Sequence, residues 1–189
     1  SAELYHLLYN KALEADPTAG GLISVNYLAG EPIGKVHEGR PMYIRRPDST
    51  LNLANFMLSQ LYSIFATLKL GLDLLVEQEA VVIDELLGHG GIFKTEGVMQ
   101  TIMASALEVP TAVYRSAGEG GAWGIALLAA YAASGEGSLD AYLSQEVFTT
   151  GHERTVIEPD PKYQEGFAVF LDDYRQVLKL QQQAAEILA

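Results

Sequence analysis

The sequence predicts an α/β fold in which a mixed sheet is flanked by helices and followed by a helical C-terminal tail. Short apolar runs bounded by glycine or proline are typical of buried strands. Longer segments with apolar residues at every third or fourth position are typical of amphipathic helices. Of the 189 residues, 49% are hydrophobic and 19% are charged, which is ordinary for a globular protein. The length allows one domain, or one domain with a helical appendage.

Turn and cap residues separate the predicted elements in the first half of the chain. Asp16-Pro17-Thr18 ends the first helix, a glycine pair at 20–21 opens the first strand, and Pro47-Asp48-Ser49-Thr50 offers N-cap side chains to a long helix. That helix has a wide apolar stripe, so we expect it to pack on more than one neighbour. The predicted elements are a helix over 3–15, strands over 22–27 and 42–44, a helix with apolar residues from 54 to 75, and a strand over 80–87.

Two glycine loops organise the second half. The first glycine loop (88–95) leads into a helix over 95–107, for which Thr95 is the candidate N-cap and Glu96 lies in the first turn. The second glycine loop (118–121) opens a helix rich in alanine and glycine. Small side chains allow close backbone packing, so we expect this helix to press against the sheet or a neighbouring helix.

Composition turns acidic and aromatic after the glycine-rich segment 135–138. We therefore expect a first lobe over 1–136 and a helical C-terminal extension, packed on that lobe, over 137–189. The remaining predicted elements are a strand over 111–114 and helices over 139–147 and 161–188, the two helices being separated by a polar stretch over 149–160.

The totals exclude several classes of partner. A formal net charge of −12 argues against nucleic acid, which needs a basic surface. The absence of cysteine excludes disulfides, thiolate metal sites and a cysteine nucleophile. Charged residues interrupt the most apolar stretch, 51–76, so no membrane partner is expected. The first residues lack the features of a signal peptide, and a cytoplasmic location is the expectation.

The first glycine loop is the best candidate for chemistry. Glycines let the backbone approach a ligand, and a following helix start offers free amides to an anion; the alternative is a tight turn with no ligand. Phe93 stands where a P-loop requires glycine, and neither glycine loop completes the dinucleotide-binding pattern. Trp123 is either a core residue or a wall beneath the first glycine loop. The four histidines, His6, His37, His89 and His152, share no metal-ligand spacing.

Several segments together resemble the FGGY family of carbohydrate kinases. The segment Gly-Gly-Leu-Ile-Ser-Val-Asn-Tyr-Leu-Ala-Gly-Glu-Pro at 20–32 resembles a strand and Gly-Glu turn of that family's C-terminal lobe, and 88–95 resembles its adenosine loop. Residues 119–130 resemble the start of the helix behind that loop, and the tail over 161–174 is similar to the closing helix of xylulose kinases. The resemblance implies an RNase H-like, actin-like ATPase fold of two lobes with ATP in the cleft.

The resemblance also implies site residues. Gly90, Gly91 and Ile92 would lie against adenine and ribose, Thr95 would contact the nucleotide, and Gly30 would lie near the phosphates. The segment Ile92-Phe93-Lys94 is bulkier than the small residues usual in the family, which could weaken nucleotide binding. ATP and Mg²⁺ are the expected cofactors of the complete enzyme.

The resemblance covers only the C-terminal lobe of such a kinase. The family's catalytic aspartate and earlier phosphate loops precede the matched region, so no catalytic or metal-binding residue is assigned and this chain alone should be inactive. The expected reaction transfers the γ-phosphate of ATP to a ketose, for which a xylulose-like pentulose is the first candidate. The N-terminal lobe is expected to hold most of this sugar. The alternative is a non-catalytic nucleotide-binding or interaction module derived from a kinase lobe. A homodimer is a candidate assembly.

Overall fold

Two helices of 27 residues each, α2 (Leu53–Glu79) and α6 (Pro161–Ile187), form the framework of the fold. The computed structural model describes residues 2–115, 117–135, 137–148 and 153–188. The other helices are α1 (Ala2–Ala12), α3 (Val98–Leu107), α4 (Gly120–Ser134) and α5 (Leu139–Tyr142), which continues as a π-helical turn over Leu143–Val147. The strands are β1 (Leu22–Val25), β2 (Met42–Arg45), β3 (Leu86–Gly88), β4 (Thr111–Tyr114) and β5 (Arg154–Ile157).

The strands form two small sheets. In the first, β1 and β2 pair antiparallel. In the second, β3 and β4 are parallel, with Leu86 opposite Thr111, and β5 pairs antiparallel with the other side of β4. Helix α3 connects β3 to β4, as a parallel pair requires a crossover. The carboxyl ends of β3 and β4 therefore lie at the same edge of a mixed sheet.

Helix α2 lies at the centre of the core and contacts α1, α3, α6 and β1, so the predicted packing on several neighbours is confirmed. Its Tyr62 is fully buried and lies 5.1 Å from the Phe167 ring and 5.3 Å from the Phe170 ring, centroid to centroid. The Tyr62 hydroxyl donates a hydrogen bond of 2.8 Å to the carbonyl oxygen of Pro17. Burial raises the pKa of Tyr62, because the interior disfavours the phenolate.

Two predicted helix starts are wrong. Helix α2 begins after Asn52, whose side chain accepts a hydrogen bond of 2.8 Å from the Asn55 amide, and 47–50 lies before the cap. Helix α3 begins after Gly97, so Thr95 is not its N-cap and Glu96 precedes its first turn. The reason is local: residues 91–94 form a separate 3₁₀ turn, and Thr95 follows it in an extended conformation with its side chain buried.

The predicted strand over 80–87 is wrong in extent. Ala80 caps α2 in the left-handed region at φ 52°, and the strand comprises only Leu86–Gly88. Conversely, β5 lies inside the stretch predicted to be an irregular polar connection. The strands predicted over 22–27, 42–44 and 111–114 are confirmed, and so are the helices predicted over 3–15, 139–147 and 161–188, within a few residues at their ends.

Helix α4 does not pack as predicted. None of its 15 residues is buried, and the side chains of Ile125 and Leu128 are 69% and 50% exposed. Its aromatic residues contact the following segment, with Trp123 5.8 Å from Phe148 between ring centroids. The helix has apolar or small residues on all sides and no charge, so its sequence has no periodic signal for a buried face.

The described part of the chain contains no helix with both the length and the apolar character needed to cross a membrane. Glu136, at the predicted boundary between 1–136 and 137–189, lies outside the described residues. On the far side of that boundary, β5 belongs to the sheet of β3 and β4, and α6 packs on α3 and β1. The two predicted parts therefore share one sheet and one core.

Candidate functional site

The candidate site lies at the edge where β3 and β4 end. Ligands of α/β proteins bind outside the carboxyl ends of parallel strands. Here β3 leads into the first glycine loop, and β4 leads into the second glycine loop and α4. The two loops contact each other, although they lie about 25 residues apart in the sequence.

Three glycines of these loops make room for side chains of the chain itself. A Cβ atom at Gly88 would lie 2.6 Å from the ring of Phe93. The corresponding distances are 2.7 Å from Gly118 to Lys94 Cε and 2.6 Å from Gly120 to His89 Nδ1. Phe93 and Lys94, two of the bulky residues that depart from the family pattern, are therefore accommodated by glycines in the same two loops.

Gly90 and Gly91 have different surroundings from those three glycines. A Cβ atom at either position would meet no atom within 4 Å. Gly90 has φ 107°, which side chains rarely tolerate, whereas Gly91 has no positive φ and is exposed. Gly91 therefore offers an open backbone surface whose conformation does not require glycine.

The other predicted site residues lie in three different environments. Thr95 is buried and lines a cavity beside the first glycine loop. The side chain of Ile92 is partly buried against the hydrophobic core. Gly30 lies in the loop between β1 and β2, where a Cβ atom would be 2.5 Å from the carbonyl oxygen of His37. Of the predicted site residues, Thr95 lines the cavity, whereas Gly30, Gly90, Gly91 and Ile92 do not, and Gly30 lies against the backbone of His37 instead.

The cavity has a volume of about 730 Å³, within the range of small-molecule sites. It lies between the first glycine loop, the end of β4, the start of α4 and β5. Trp123 lines it, which supports the interpretation of this residue as a wall. The lining comprises Phe93, Lys94, Thr95, Glu96, Gly97, Gln100, Val113, Tyr114, Arg115, Gly118, Glu119, Trp123, Glu153, Arg154 and Thr155.

Gln100 fixes the side of the cavity formed by α3, β4 and β5. Its amide group is buried and donates hydrogen bonds of 2.7 Å to the carbonyl oxygen of Thr111 and 2.9 Å to that of Thr155. Its amide oxygen accepts a hydrogen bond of 3.0 Å from the Thr155 hydroxyl. Sequence reasoning missed Gln100 because its role depends on β5, which was not predicted.

Each basic side chain that lines the cavity is paired with a carboxylate. Lys94 Nζ lies 2.8 Å from Glu119 Oε1, and a guanidinium nitrogen of Arg115 lies 3.0 Å from Glu153 Oε2. Arg154 pairs with Glu85. The hydrogen bond from Lys94 lowers the pKa of Glu119, because it stabilises the ionised carboxylate. An anionic ligand would therefore compete with these carboxylates for the basic groups.

Within the described ranges, no group of three or more histidine, aspartate or glutamate side chains is arranged to hold a metal ion. His89 packs against Gly120, and His152 lies outside the described residues. Mg²⁺ in kinases is usually held by substrate phosphates and one or two carboxylates. The described residues therefore provide no Mg²⁺ ligand set of their own.

Comparison with known proteins identifies the family. The model of the FGGY family of carbohydrate kinases, C-terminal domain, matches residues 2–133. Comparison with curated proteins gave no match.

Solved structures show the same fold at low sequence identity. A xylulose kinase from Rhodospirillum rubrum is 19% identical with a TM-score of 0.67 over 92% of this chain and 33% of its own. A gluconate kinase from Lactobacillus acidophilus is 18% identical with a TM-score of 0.67 over 93% and 35%. The glycerol kinase of Plasmodium falciparum, solved with ADP, is 17% identical with a TM-score of 0.63 over 92% and 33%.

This chain spans about a third of the length of those kinases. The family match covers more than two thirds of this chain, and the neighbours have the actin-like ATPase fold. The chain belongs to the FGGY family of carbohydrate kinases and has the fold of its C-terminal domain.

Proposed function

We propose that this chain is the ATP-binding C-terminal lobe of a kinase that phosphorylates a ketose, with a xylulose-like pentulose as the first candidate. Membership of the FGGY family supports sugar phosphorylation. Among the structural neighbours are kinases named for xylulose, gluconate and glycerol, so the choice of sugar is our own proposal. ATP supply favours a cytoplasmic enzyme.

The observation that carries the proposal is the open backbone at Gly91 beside a cavity at the carboxyl edge of β3 and β4. We propose that Gly90, Gly91 and Ile92 line the adenosine through their backbone and that Thr95 contacts the nucleotide from the cavity. One structural neighbour was solved with ADP, which supports a nucleotide as the ligand. Gly30 is proposed near the phosphates on the resemblance alone.

The proposed reaction needs more than this chain. Phosphoryl transfer requires a positioned acceptor hydroxyl, charge neutralisation by Mg²⁺ and a residue that accepts the hydroxyl proton. We assign none of these to the described residues, and the related structures are about three times as long. The sugar and the catalytic base would therefore be held by a second lobe, and the chain alone should be inactive.

The exposed helix α4 supports a larger assembly. A helix that is apolar on all sides is normally buried, yet α4 has no buried residue. We propose that residues 1–136 form the nucleotide-binding lobe and that 137–189 is an extension packed on it. The extension adds β5 to the sheet of the lobe, and its α6 contacts α3 and β1. A homodimer is the second assembly that could cover α4.

The alternative function is a non-catalytic nucleotide-binding or interaction module. It is favoured by the packing of Phe93, Lys94 and His89 into space that glycines could offer to a ligand. A complete kinase polypeptide with an intact catalytic aspartate in its N-terminal lobe, active on pentuloses, would decide for the enzyme. Absence of such a lobe, or inactivity on pentuloses, hexuloses and glycerol, would decide for the module.

Replacing Gly91 by valine tests the site directly. The new side chain would point into open space without backbone strain, so the melting temperature should change little. If nucleotide binds there, the side chain would displace it, and affinity for ADP should fall more than tenfold, about 1.4 kcal/mol. ADP titrations followed by amide NMR shifts would measure this in the chain itself, which we expect to bind more weakly than about 1 μM.

Gly137→Val is the matched control, because a Cβ there also meets no atom within 4 Å and the residue lies outside the site. Its affinity for ADP should equal that of the unchanged chain. Loss of stability in Gly91→Val with an ADP constant unchanged within about threefold, roughly 0.6 kcal/mol, would show that the loop is only a turn.

A further inference from the structure

Lys94 links the two glycine loops in a way that the adenosine-site assignment does not explain. It ends the 3₁₀ turn that begins at Gly91, and its ammonium reaches Glu119, the residue before α4. The aliphatic part of its side chain lies over Gly118, where a Cβ would meet Cε at 2.7 Å. Lys94 and Glu119 both line the cavity. The ammonium therefore lies near the cavity and near the 3₁₀ turn that contains Gly91.

The pair is accessible and weakly held. The side chains of Lys94 and Glu119 are 60% and 74% exposed, and water and salt screen an exposed ion pair strongly. Such a pair exchanges partners readily when another anion arrives. Three basic side chains line the cavity: Lys94, Arg115 and Arg154. Arg154 is the least exposed of them at 41%, and its partner Glu85 is 30% exposed. Lys94 is also the only one of the three within the 3₁₀ turn that contains Gly91.

We propose that Lys94 is a phosphate-contacting residue and that Glu119 occupies its ammonium as a competing anion until a nucleoside phosphate binds. On binding, Lys94 leaves Glu119 and donates to a phosphate oxygen, while the Glu119 carboxylate turns to solvent. This inference rests on the proposed nucleotide site. The ligand class is a nucleoside di- or triphosphate, because a lysine ammonium on a flexible stem recognises phosphate as a point charge.

Two opposite substitutions test the exchange. Lys94→Met keeps the apolar stem over Gly118 and removes the charge, so ADP affinity should fall about tenfold or more while adenosine affinity stays within about threefold. Glu119→Gln removes the competitor and a negative charge near the phosphate, so ADP affinity should rise about threefold and adenosine affinity should not change. ADP, adenosine and inorganic phosphate would be titrated separately against amide NMR shifts of the whole chain.

Lys11→Met and Glu14→Gln serve as controls, since this exposed pair, formed by Lys11 of α1 and Glu14 just after it, lies outside the site. Equal losses for ADP and adenosine in Lys94→Met would assign the lysine a packing role and overturn the inference, while the nucleotide site would stand. Weaker ADP binding by Glu119→Gln would overturn the competition. If inorganic phosphate binds in a way that depends on Lys94 and adenosine does not bind, the site is a phosphate site. That result would contradict a nucleoside phosphate as the ligand. No response to any probe would overturn the proposed site itself.

Discussion

Replacement of Gly166 by alanine should destabilise the protein, although alanine is the better helix former. Gly166 lies in the first third of α6, where a Cβ would be 2.0 Å from the carbonyl oxygen of Pro17 and 2.3 Å from its carbonyl carbon. Backbone atoms cannot rotate away as a flexible side chain can. The higher helix propensity of alanine should stabilise the protein by about 1 kcal/mol. The clash forces α6 away from Pro17, and this overpacking should cost about 1–3 kcal/mol or more, which outweighs that gain.

The matched control is Gly71→Ala in α2. There the nearest atoms to a Cβ belong to the Ile33 side chain at 3.8 Å, an ordinary contact. Only the intrinsic term remains, so this variant should be more stable by up to about 1 kcal/mol. Urea unfolding of both variants gives the free energies. Stabilisation in both would mean that α6 is not pressed against Pro17 in solution.

The sequence was sufficient where local chemistry sets an element boundary. Helix α6 begins at Pro161 as predicted, because proline suits the first helical turn and the Asp160 side chain accepts from the Lys162 amide at 2.9 Å. Strand β4 follows Pro110 directly and has the predicted range. The signals that set these boundaries lie within a few residues of them.

The sequence failed where structure depends on distant partners. The first three residues of β5 are exposed and include Arg154, so the segment has the character of a polar loop. Only its pairing with β4 identifies it as a strand. The exposure of α4 could not be predicted for the opposite reason, since every face of this helix carries apolar or small side chains. Periodicity identifies a buried face only when a polar face contrasts with it.

The candidate site shows the same limit. The glycines of the first loop were interpreted as an approach for a ligand, but Gly88 gives space to Phe93. In the second loop, Gly118 and Gly120 give space to Lys94 and His89. This packing of side chains over glycines joins two loops about 25 residues apart, and the sequence of neither loop indicates it. Gly91 in the first loop and Gly121 in the second each combine an open surface with an unstrained backbone, a distinction from the other loop glycines that only the three-dimensional arrangement shows.

Gln181→Leu should cause one of the largest losses of stability in the chain. Gln181 on α6 is fully buried, and its amide oxygen accepts a hydrogen bond of 2.9 Å from the Arg40 backbone amide. Its amide nitrogen donates to the Arg40 carbonyl oxygen. Leucine would fill the space but leave both backbone groups unpaired, at about 1–3 kcal/mol each when buried. Because Arg40 is partly accessible, we expect a total cost of about 2–4 kcal/mol.

The neighbouring Gln182→Leu separates this effect from a general loss of polarity on α6. Gln182 is exposed, and its side chain donates a hydrogen bond of 2.9 Å to the carbonyl oxygen of Lys35, so its replacement should change stability by about 0.5 kcal/mol or less. Both glutamines hold the loop between β1 and β2 that contains Gly30, so amide exchange over 30–40 should accelerate most in Gln181→Leu. Equal urea midpoints for the two variants would mean that Arg40 finds water in place of Gln181. The loop that contains Gly30 would then be held by its own backbone contacts, with α6 contributing little.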